Sequence, residues 1–320
     1  MIHIFIKKII RDIFKSNDSL LYKQLDELWN SINKKNDSIC TPLDNLVNVK
    51  INVNSICGVN VEIKVQNKVQ NDINEIVSLF FKKVKNQDII IENKNDGSEG
   101  KWLEHQFGIK PNSKNEPDLF GYELKKYSKK ITLGDFSASE YPFSSEKVRK
   151  HISLSIPRTT FIQIFGEPNP MKQNRYSWSG SCVPSYANRD WNNCGQRMII
   201  TDQGDISIYY SFQNDKRERK HVFPDEVKKE NILIAFWDRM KLEANIENKF
   251  NQKGFFICKK KDRVYNSIHF GHPFTFSFFI DAFKKGDIIF DSGMYETNPR
   301  PYSQFRAKDE FWMNMIYLTY

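Results

Sequence analysis

Apolar positions along this chain change period several times, and each change predicts an element. Ile2, Phe5, Ile6, Ile9 and Ile13 fall on one side of a helix over residues 1–15. Leu21, Leu25, Leu28 and Ile32 give a second amphipathic helix, with Asp18 or Ser19 as its cap. Val47, Val49, Ile51 and Val53 then alternate with polar residues, as do Val59, Val61, Ile63 and Val65. Asn54 to Gly58 lies between the two runs and predicts a hairpin. Asp72 and Glu75 form a capping-box pattern for a helix carrying Ile73, Ile76, Val77, Phe80 and Val84. The polar stretch Asn93-Lys94-Asn95-Asp96-Gly97-Ser98 is the expected boundary. It divides the chain into an N-terminal extension of helices plus a β-hairpin, residues 1–92, and a larger unit, residues 93–320.

In the larger unit, Trp102, Leu103 and Phe107 predict a short helix with Gly108 at its C-terminal cap. Glu123-Leu124-Lys125 reads as a strand. Phe161 to Phe165 reads as a buried strand, and 197–201 with 206–212 as a hairpin around Asp202-Gln203-Gly204-Asp205. Residues 275–285 predict a helix ended by Gly286, with a short strand over 287–291. Residues 168–195, rich in Pro, Asn, Ser and Gly, read as a long irregular segment carrying Arg175, Trp178, Tyr186, Arg189 and Trp191. A connection that long carries either function or an irregular packed excursion. The mixture of helical and strand periods predicts an α/β fold, and no internal repeat is visible.

Composition narrows the function classes. Hydrophobic residues make up 39% of the 320 positions, which excludes a wholly disordered chain. Lys+Arg number 48 against 39 Asp+Glu, and the net charge of +9 suits a polyanionic partner. Lys, Asn and Ile are all abundant, so part of that charge reflects coding bias. Arginine is the better indicator, because only Arg11 precedes residue 149 and all the others run from Arg149 to Arg306. Guanidinium groups make bidentate contacts to guanine edges and phosphates. Cys40, Cys57, Cys182, Cys194 and Cys258 form no metal-ligand spacing and read as reduced thiols in a cytosol. His269 and His272, beside Gly271 and Pro273, read as loop residues. No apolar run approaches a membrane span, and no signal-peptide pattern is present. The basic amphipathic 1–15 segment fits a core-packing helix better than a membrane-surface one.

The chemistry concentrates at Glu116-Pro117-Asp118-Leu119-Phe120-Gly121-Tyr122-Glu123-Leu124-Lys125. On a strand, Glu123 and Lys125 project from one face while Leu124 packs on the other. Gly121 lets the chain turn and bring Asp118 back towards Glu123. Two converging carboxylates suit a hard, oxygen-liganded cation such as Mg²⁺, and a neighbouring ammonium can position water and offset phosphate charge. The Glu-x-Lys triplet alone is weak, since it also starts at Glu62, Glu92, Glu99, Glu218, Glu226 and Glu247. Glu62 and Lys64, with Asp44 upstream, form the one competing copy. Its strict alternation fits a half-exposed strand.

The order Leu103-Glu104, Phe107-Gly108-Ile109, Pro117-Asp118, Gly121 and Glu123-Leu124-Lys125 resembles the PD-(D/E)xK nuclease superfamily. Its nearest likeness is to type II restriction endonucleases of the MvaI/BcnI/LlaMI kind and to the related mismatch-repair nickase MutH. The resemblance is strongest over 97–136. It implies a restriction-endonuclease-like mixed sheet flanked by helices, with residues 93–320 holding the catalytic core and DNA-recognition elements. It also implies that Ile131-Thr132-Leu133 begins the next strand. The implied activity is Mg²⁺-dependent hydrolysis of double-stranded DNA at a short specific sequence, with Mn²⁺ able to substitute. Asp118 and Glu123 would ligate the metal with help from the Leu124 carbonyl. Lys125 would orient water, and Glu104 would support a second metal or the ligand geometry. The expected DNA contacts are Arg175, Arg189, Arg217, Arg219, Arg300, Tyr302 and Arg306, the last three in a basic-aromatic C-terminal segment. Lys126 and Tyr127 depart from the threonine that relatives often carry after the motif lysine. A separate DNA methyltransferase is an expected host partner, the location is cytoplasmic, and the oligomeric state is open. A strand-nicking repair nuclease and a DNA-binding protein without cleavage are the alternatives.

Overall fold

The computed structural model describes residues 49–52, 62–65, 68–91, 97–110, 115–298 and 300–320. Contacts divide the chain into Met1–Asn71 and Asp72–Tyr320. In the first unit, β1 (Val49–Asn52) and β2 (Glu62–Val65) pair antiparallel with Val49 opposite Val65 and Ile51 opposite Ile63, as their alternation predicts. The two opening helices, the turn at 54–58, Asp44, Cys40 and Cys57 lie outside the described residues, and so do the side chains of β1 and β2.

Helix α1 (Lys68–Lys83) buries Ile73, Ile76 and Phe80, with Val84 buried just past its end. The helical stripe was legible, but α1 starts four residues before Asp72. Asp72 therefore does not cap it, and instead pairs with Lys253. Helix α2 (Ser98–Gln106) ends where expected, with Gly108 at φ 73° just beyond Phe107. The Ile109 N–H then donates to the Glu104 carbonyl at 2.9 Å, closing the last turn.

The sheet that carries the motif is mixed. Strands β3 (Glu123–Lys126), β10 (Phe255–Lys261), β11 (Val264–Gly271) and β15 (Ile316–Thr319) lie in the order β15-β11-β10-β3. β10 is parallel to β3, with Phe255 opposite Glu123 and Ile257 opposite Lys125, and the other pairings are antiparallel. A parallel neighbour requires a crossover, and α4 (Arg239–Phe250) leads into β10 to complete it. A second antiparallel sheet joins β12 (Ile288–Asp291), β14 (Gln304–Lys308) and β4 (Lys130–Asp135). A third holds β7 (Cys194–Ile200), β8 (Ile206–Asp215) and β9 (Ile232–Trp237), with β7–β8 the expected hairpin. The segment expected to be irregular supplies most of β5 (Glu167–Asn169) and all of β6 (Arg175–Trp178) to a small sheet that β13 (Met294–Tyr295) completes. Helices α5 (Phe276–Lys285), ended by Gly286, and α6 (Asp309–Met313) cover the remaining apolar faces.

Two readings change. Phe161 to Phe165 lies in helix α3 (Arg158–Phe165), not a strand, with Phe161, Ile162, Ile164 and Phe165 all buried. A short segment buried on nearly every side loses the amphipathic period that separates helix from strand. His269 sits on β11 rather than in a loop. One continuous core joins Trp178, Trp237, Phe290 and Phe305 to Tyr141, Phe161 and Phe165. Cys182, Cys194 and Cys258 are free and buried. Among the described residues, no helix is long and apolar enough to cross a membrane.

Arg217 ties three elements of this core together. Its guanidinium pairs with buried Asp215 at 2.6 Å and donates to the carbonyls of Gly166 at 2.8 Å and Ile164 at 3.1 Å, beyond and within the last turn of α3. Deleting one partner leaves the other buried and unpaired. Arg217→Ala should therefore lower stability by about 3–5 kcal/mol in urea denaturation. A change below about 1 kcal/mol would show that water replaces the guanidinium here.

Candidate active site

The motif is assembled by a two-residue turn. Leu119 and Tyr122 exchange backbone hydrogen bonds of 3.0 and 2.8 Å, and the intervening Phe120 and Gly121 both have positive φ, 51° and 87°. Positive φ at both central positions is the signature of a type I′ turn, which reverses a strand without splaying it. Asp118 and Glu123 thus stand just outside the turn on its two sides, Glu123 opening β3. Asp118 Oδ2 accepts the Leu124 N–H at 2.8 Å, which fixes that carboxylate against β3. Helix α4 holds the approach to the turn, because Asn115 bonds Asn245 at 3.1 Å and its carbonyl accepts from Asn248 at 2.7 Å.

Glu123 and Lys125 are buried, at 3% and 8% exposure, which is unusual for an ion pair. Lys125 Nζ donates to Glu123 Oε1 at 2.8 Å and to the Leu133 carbonyl of β4 at 2.8 Å. The rings of Phe250 and Trp312 lie 5.4 and 6.0 Å from that ammonium. Burial in this aromatic surround pushes the Lys125 pKa down, and Glu123 opposes the shift. Burial first, and then the Glu123 charge, raises the Asp118 carboxyl to about 7. Glu104 on α2 is raised for the same two reasons, in the same order. The four residues expected to act together are therefore brought into one electrostatic neighbourhood.

The sequence reading missed Lys249. Its Nζ reaches Glu123 Oε1 at 2.8 Å from α4, and its side chain is only 13% exposed. Leu242, Ile246 and Phe250 are the buried residues of that helix, and Lys249 falls within their stripe. A lysine at an inward position was the available signal. It belongs to the Glu-x-Lys triplet that starts at Glu247, whose carboxylate accepts the Phe276 N–H at the start of α5.

Glu123 Oε2 is buried and has no hydrogen-bond partner. An orphaned carboxylate oxygen beside a second carboxylate whose ionisation is suppressed is the donor set that a divalent cation would satisfy. The pair fits Mg²⁺ better than a soft metal, since neither Cys nor His contributes. Among the described residues, no group of three or more His, Cys, Asp or Glu gathers as a metal site, so the candidate donors are this pair of carboxylates.

The expected DNA contacts separate into two groups. Arg217 is turned inward as described above. Arg219 is too, donating to the Gln163 carbonyl at 2.6 Å and to the Gly166 carbonyl. Arg306 bonds Asp291 at 3.1 Å, and the adjacent Phe305 is core. By contrast, Arg175 stacks its guanidinium 3.6 Å from the centre of the Tyr295 ring, Arg189 is exposed near Tyr186, and Arg300 is exposed. Tyr302 is half-buried. The competing Glu62 and Lys64 lie on β2, outside the residues whose side chains are described.

A family profile described as LlaMI restriction endonuclease matches residues 81–320. The chain is 39% identical over 261 residues to the type II restriction enzyme ScrFI of Lactococcus lactis subsp. cremoris, covering 75% of this chain and 96% of that enzyme. Its fold is similar to that of restriction endonuclease MvaI in complex with cognate DNA substrate. That match has a TM-score of 0.50 and 14% identity, and covers 80% of this chain and 99% of the other.

Two predictions follow from the electrostatics. Ionising Asp118 is harder in the folded protein than in the unfolded chain, so its contribution falls as pH rises from the unfolded value of 3.8 through about 7. In chelator, Asp118→Asn should match the parent below pH 4 and exceed its stability above pH 7. The gain is on the order of 1–4 kcal/mol. Denaturation across that range checks the sign, and a parent more stable than the variant at pH 8 contradicts it. Lys249→Met should lower the DNA cleavage rate about 10–100-fold, the usual scale for a group orienting a ligand. An unchanged rate would reduce Lys249 to a structural ion pair.

Proposed function

Because the chain belongs to the LlaMI restriction endonuclease family, and is accordingly a type II site-specific deoxyribonuclease, we propose that it hydrolyses both strands of double-stranded DNA at a short specific sequence using the Asp118–Glu123 carboxylates and Lys125. The observation that carries this reading is the orphaned Glu123 Oε2, buried beside a carboxyl held up at about 7. Asp118 and Glu123 would hold Mg²⁺, with Mn²⁺ as a substitute and the Leu124 carbonyl as a further oxygen. The bound cation would supply Lewis-acid polarisation of the scissile phosphate and lower the pKa of nearby water.

The side chains have separate tasks in this scheme. Lys125, anchored on Glu123 and the Leu133 carbonyl, orients the attacking water and offsets charge on the phosphate. Lys249 shares Glu123 Oε1 with Lys125 and fixes that carboxylate with Oε2 left free for a cation. Glu104, whose carboxyl is raised by burial and then by Glu123, would support a second metal or the ligand geometry. Phe250 and Trp312 flank the ammonium with apolar rings, and the low polarity on that side strengthens its bonds to Glu123 and Leu133. Arg175, Arg189, Arg300 and Tyr302 make up the proposed recognition set. The enzyme would act in the cytoplasm beside a methyltransferase that protects the same sequence in host DNA.

Incubation with plasmid and phage DNA in Mg²⁺, followed by end-sequencing of the fragments, tests the reading. Discrete ends at one short sequence are expected, lost in chelator and restored by Mg²⁺ or Mn²⁺. Asp118→Ala and Lys125→Ala should each reduce cutting by orders of magnitude while retaining sequence-specific binding. Nicked circles without linear product would indicate a strand-nicking enzyme, and binding without cutting a recognition protein. Normal cutting by Asp118→Ala would put the active site elsewhere.

A further inference from the structure

Between β4 and α3, a loop presents Lys147, Lys150 and His151 to solvent around exposed Val148. Among the described residues, neither lysine ammonium has an ion-pair partner. Glu146, also exposed, is the one acidic side chain between Ser144 and Ser155. A basic loop of this kind is ordinarily a mobile, solvated run. This one is built to be rigid.

Its inner buckle is Glu140, only 3% exposed. Glu140 Oε2 accepts the backbone N–H groups of Lys150, His151 and Ile152 at 2.7, 2.9 and 3.3 Å, and Oε1 meets His151 Nδ1 at 2.6 Å. Burial works against the ionised form, but these bonds from His151 and the neighbouring amides overcome it and hold the carboxyl down at about 2. Glu140 therefore grips the loop as a carboxylate across the physiological range. Arg149 closes the outer side, donating to the Ser144 carbonyl at 3.1 Å, the Leu154 carbonyl at 2.9 Å and Ser155 Oγ at 3.0 Å. One arginine is thus spent inside the loop to fix the backbone that displays the other cations. The His151 ring rests on Phe236 at 4.4 Å between centroids, with its side chain 53% exposed. With Nδ1 on the carboxylate, Nε2 is the ring atom left for a ligand.

The loop is rooted on β9 and on the residue that caps the helix carrying Lys249. Glu140 and Phe236 exchange backbone hydrogen bonds, both 3.1 Å, and the Asp238 N–H donates to Ser139 Oγ at 3.1 Å. Asp238 caps α4, accepting the Lys241 N–H. From Asp238 to Lys249 the helix rises roughly 16 Å at 1.5 Å per residue.

Resting on the nuclease reading above, we propose that Lys147, Lys150 and His151 form a preorganised clamp on DNA phosphates, separate from the Asp118–Glu123 site and reading no bases. A rigid backbone lowers the ordering entropy of each contact, which is the physical return on burying Glu140 and spending Arg149. Phosphate contacts of this kind set register and orientation and leave sequence to other residues.

The test uses the full chain, with Ca²⁺ replacing Mg²⁺ to measure binding, on the duplex identified by end-sequencing and on an unrelated duplex. Lys147→Ala/Lys150→Ala/His151→Ala should weaken both duplexes by a similar factor and reduce the slope of log affinity against log salt by about 2–3 units. Lys147→Arg/Lys150→Arg should restore the parental slope, and Glu140→Gln should weaken both duplexes with Lys147 and Lys150 intact. The sequence of the cut ends should not change in any of them. An unchanged slope in the triple variant overturns the clamp, and a loss confined to the cognate duplex replaces it with base reading. Failure of the parent protein to bind or cut any DNA would instead sink the nuclease reading.

Discussion

A carboxylate at 3% exposure constrains everything around it. Burying Glu123 without partners would cost several kcal/mol, so the fold must deliver cations to it. Lys125 comes from two residues away on the same strand, and Lys249 comes from α4. The parallel register explains the second arrival. Phe255 pairs with Glu123, and α4 ends only a few residues before Phe255, so the crossover helix must finish beside the carboxylate. Two ammoniums nevertheless share one oxygen and leave the other unpaired. The fold has solved the burial of Glu123 only half-way, and its charge bears on the Asp118 carboxyl.

That imbalance is a store of binding energy for a cation. Asp118 and Glu104 are both held towards their neutral forms, chiefly by burial and then by Glu123. A divalent ion would relieve the repulsion and the orphaned oxygen together. The rings of Phe250 and Trp312 lie beside the Lys125 ammonium. Burial there lowers the Lys125 pKa, so the ammonium is held by Glu123 rather than by solvent. Stability is given up at a small number of atoms, and the surrounding core of buried aromatics has enough packing to carry the loss.

The parts that were legible in the sequence are those whose partners lie within a few residues. Gly121 announced the turn that joins Asp118 to Glu123, and Gly108 and Gly286 announced two helix ends. The β7–β8 hairpin and the stripe of α1 were readable for the same reason. Phe161 to Phe165 was misread because a segment that exposes only Gln163 shows too little of a polar face to reveal its period. Lys249 was hidden by distance, since its partner lies more than a hundred residues earlier. The triplet containing it looked like six others. Only the inward stripe of Leu242, Ile246 and Phe250 marked it as different.

The arginines show the same limit from the other side. Composition alone made Arg175, Arg189, Arg217 and Arg219 equivalent, yet the carbonyls around the C-terminus of α3 draw in the last two. A helix C-terminus is a concentration of unsatisfied acceptors at the negative end of a dipole, and a nearby guanidinium satisfies several at once. Arg217 and Arg219 therefore hold the fold on which a recognition surface can stand. Arg175 is braced differently, by the face of Tyr295 instead of by a carboxylate or carbonyl. Stacking immobilises the guanidinium plane without using up its hydrogen-bonding edge. On the proposed reading, such a group loses little further entropy when it meets a base. That makes it better suited to reading sequence than Arg306, whose fork already engages Asp291 and would have to give up that partner to bind DNA.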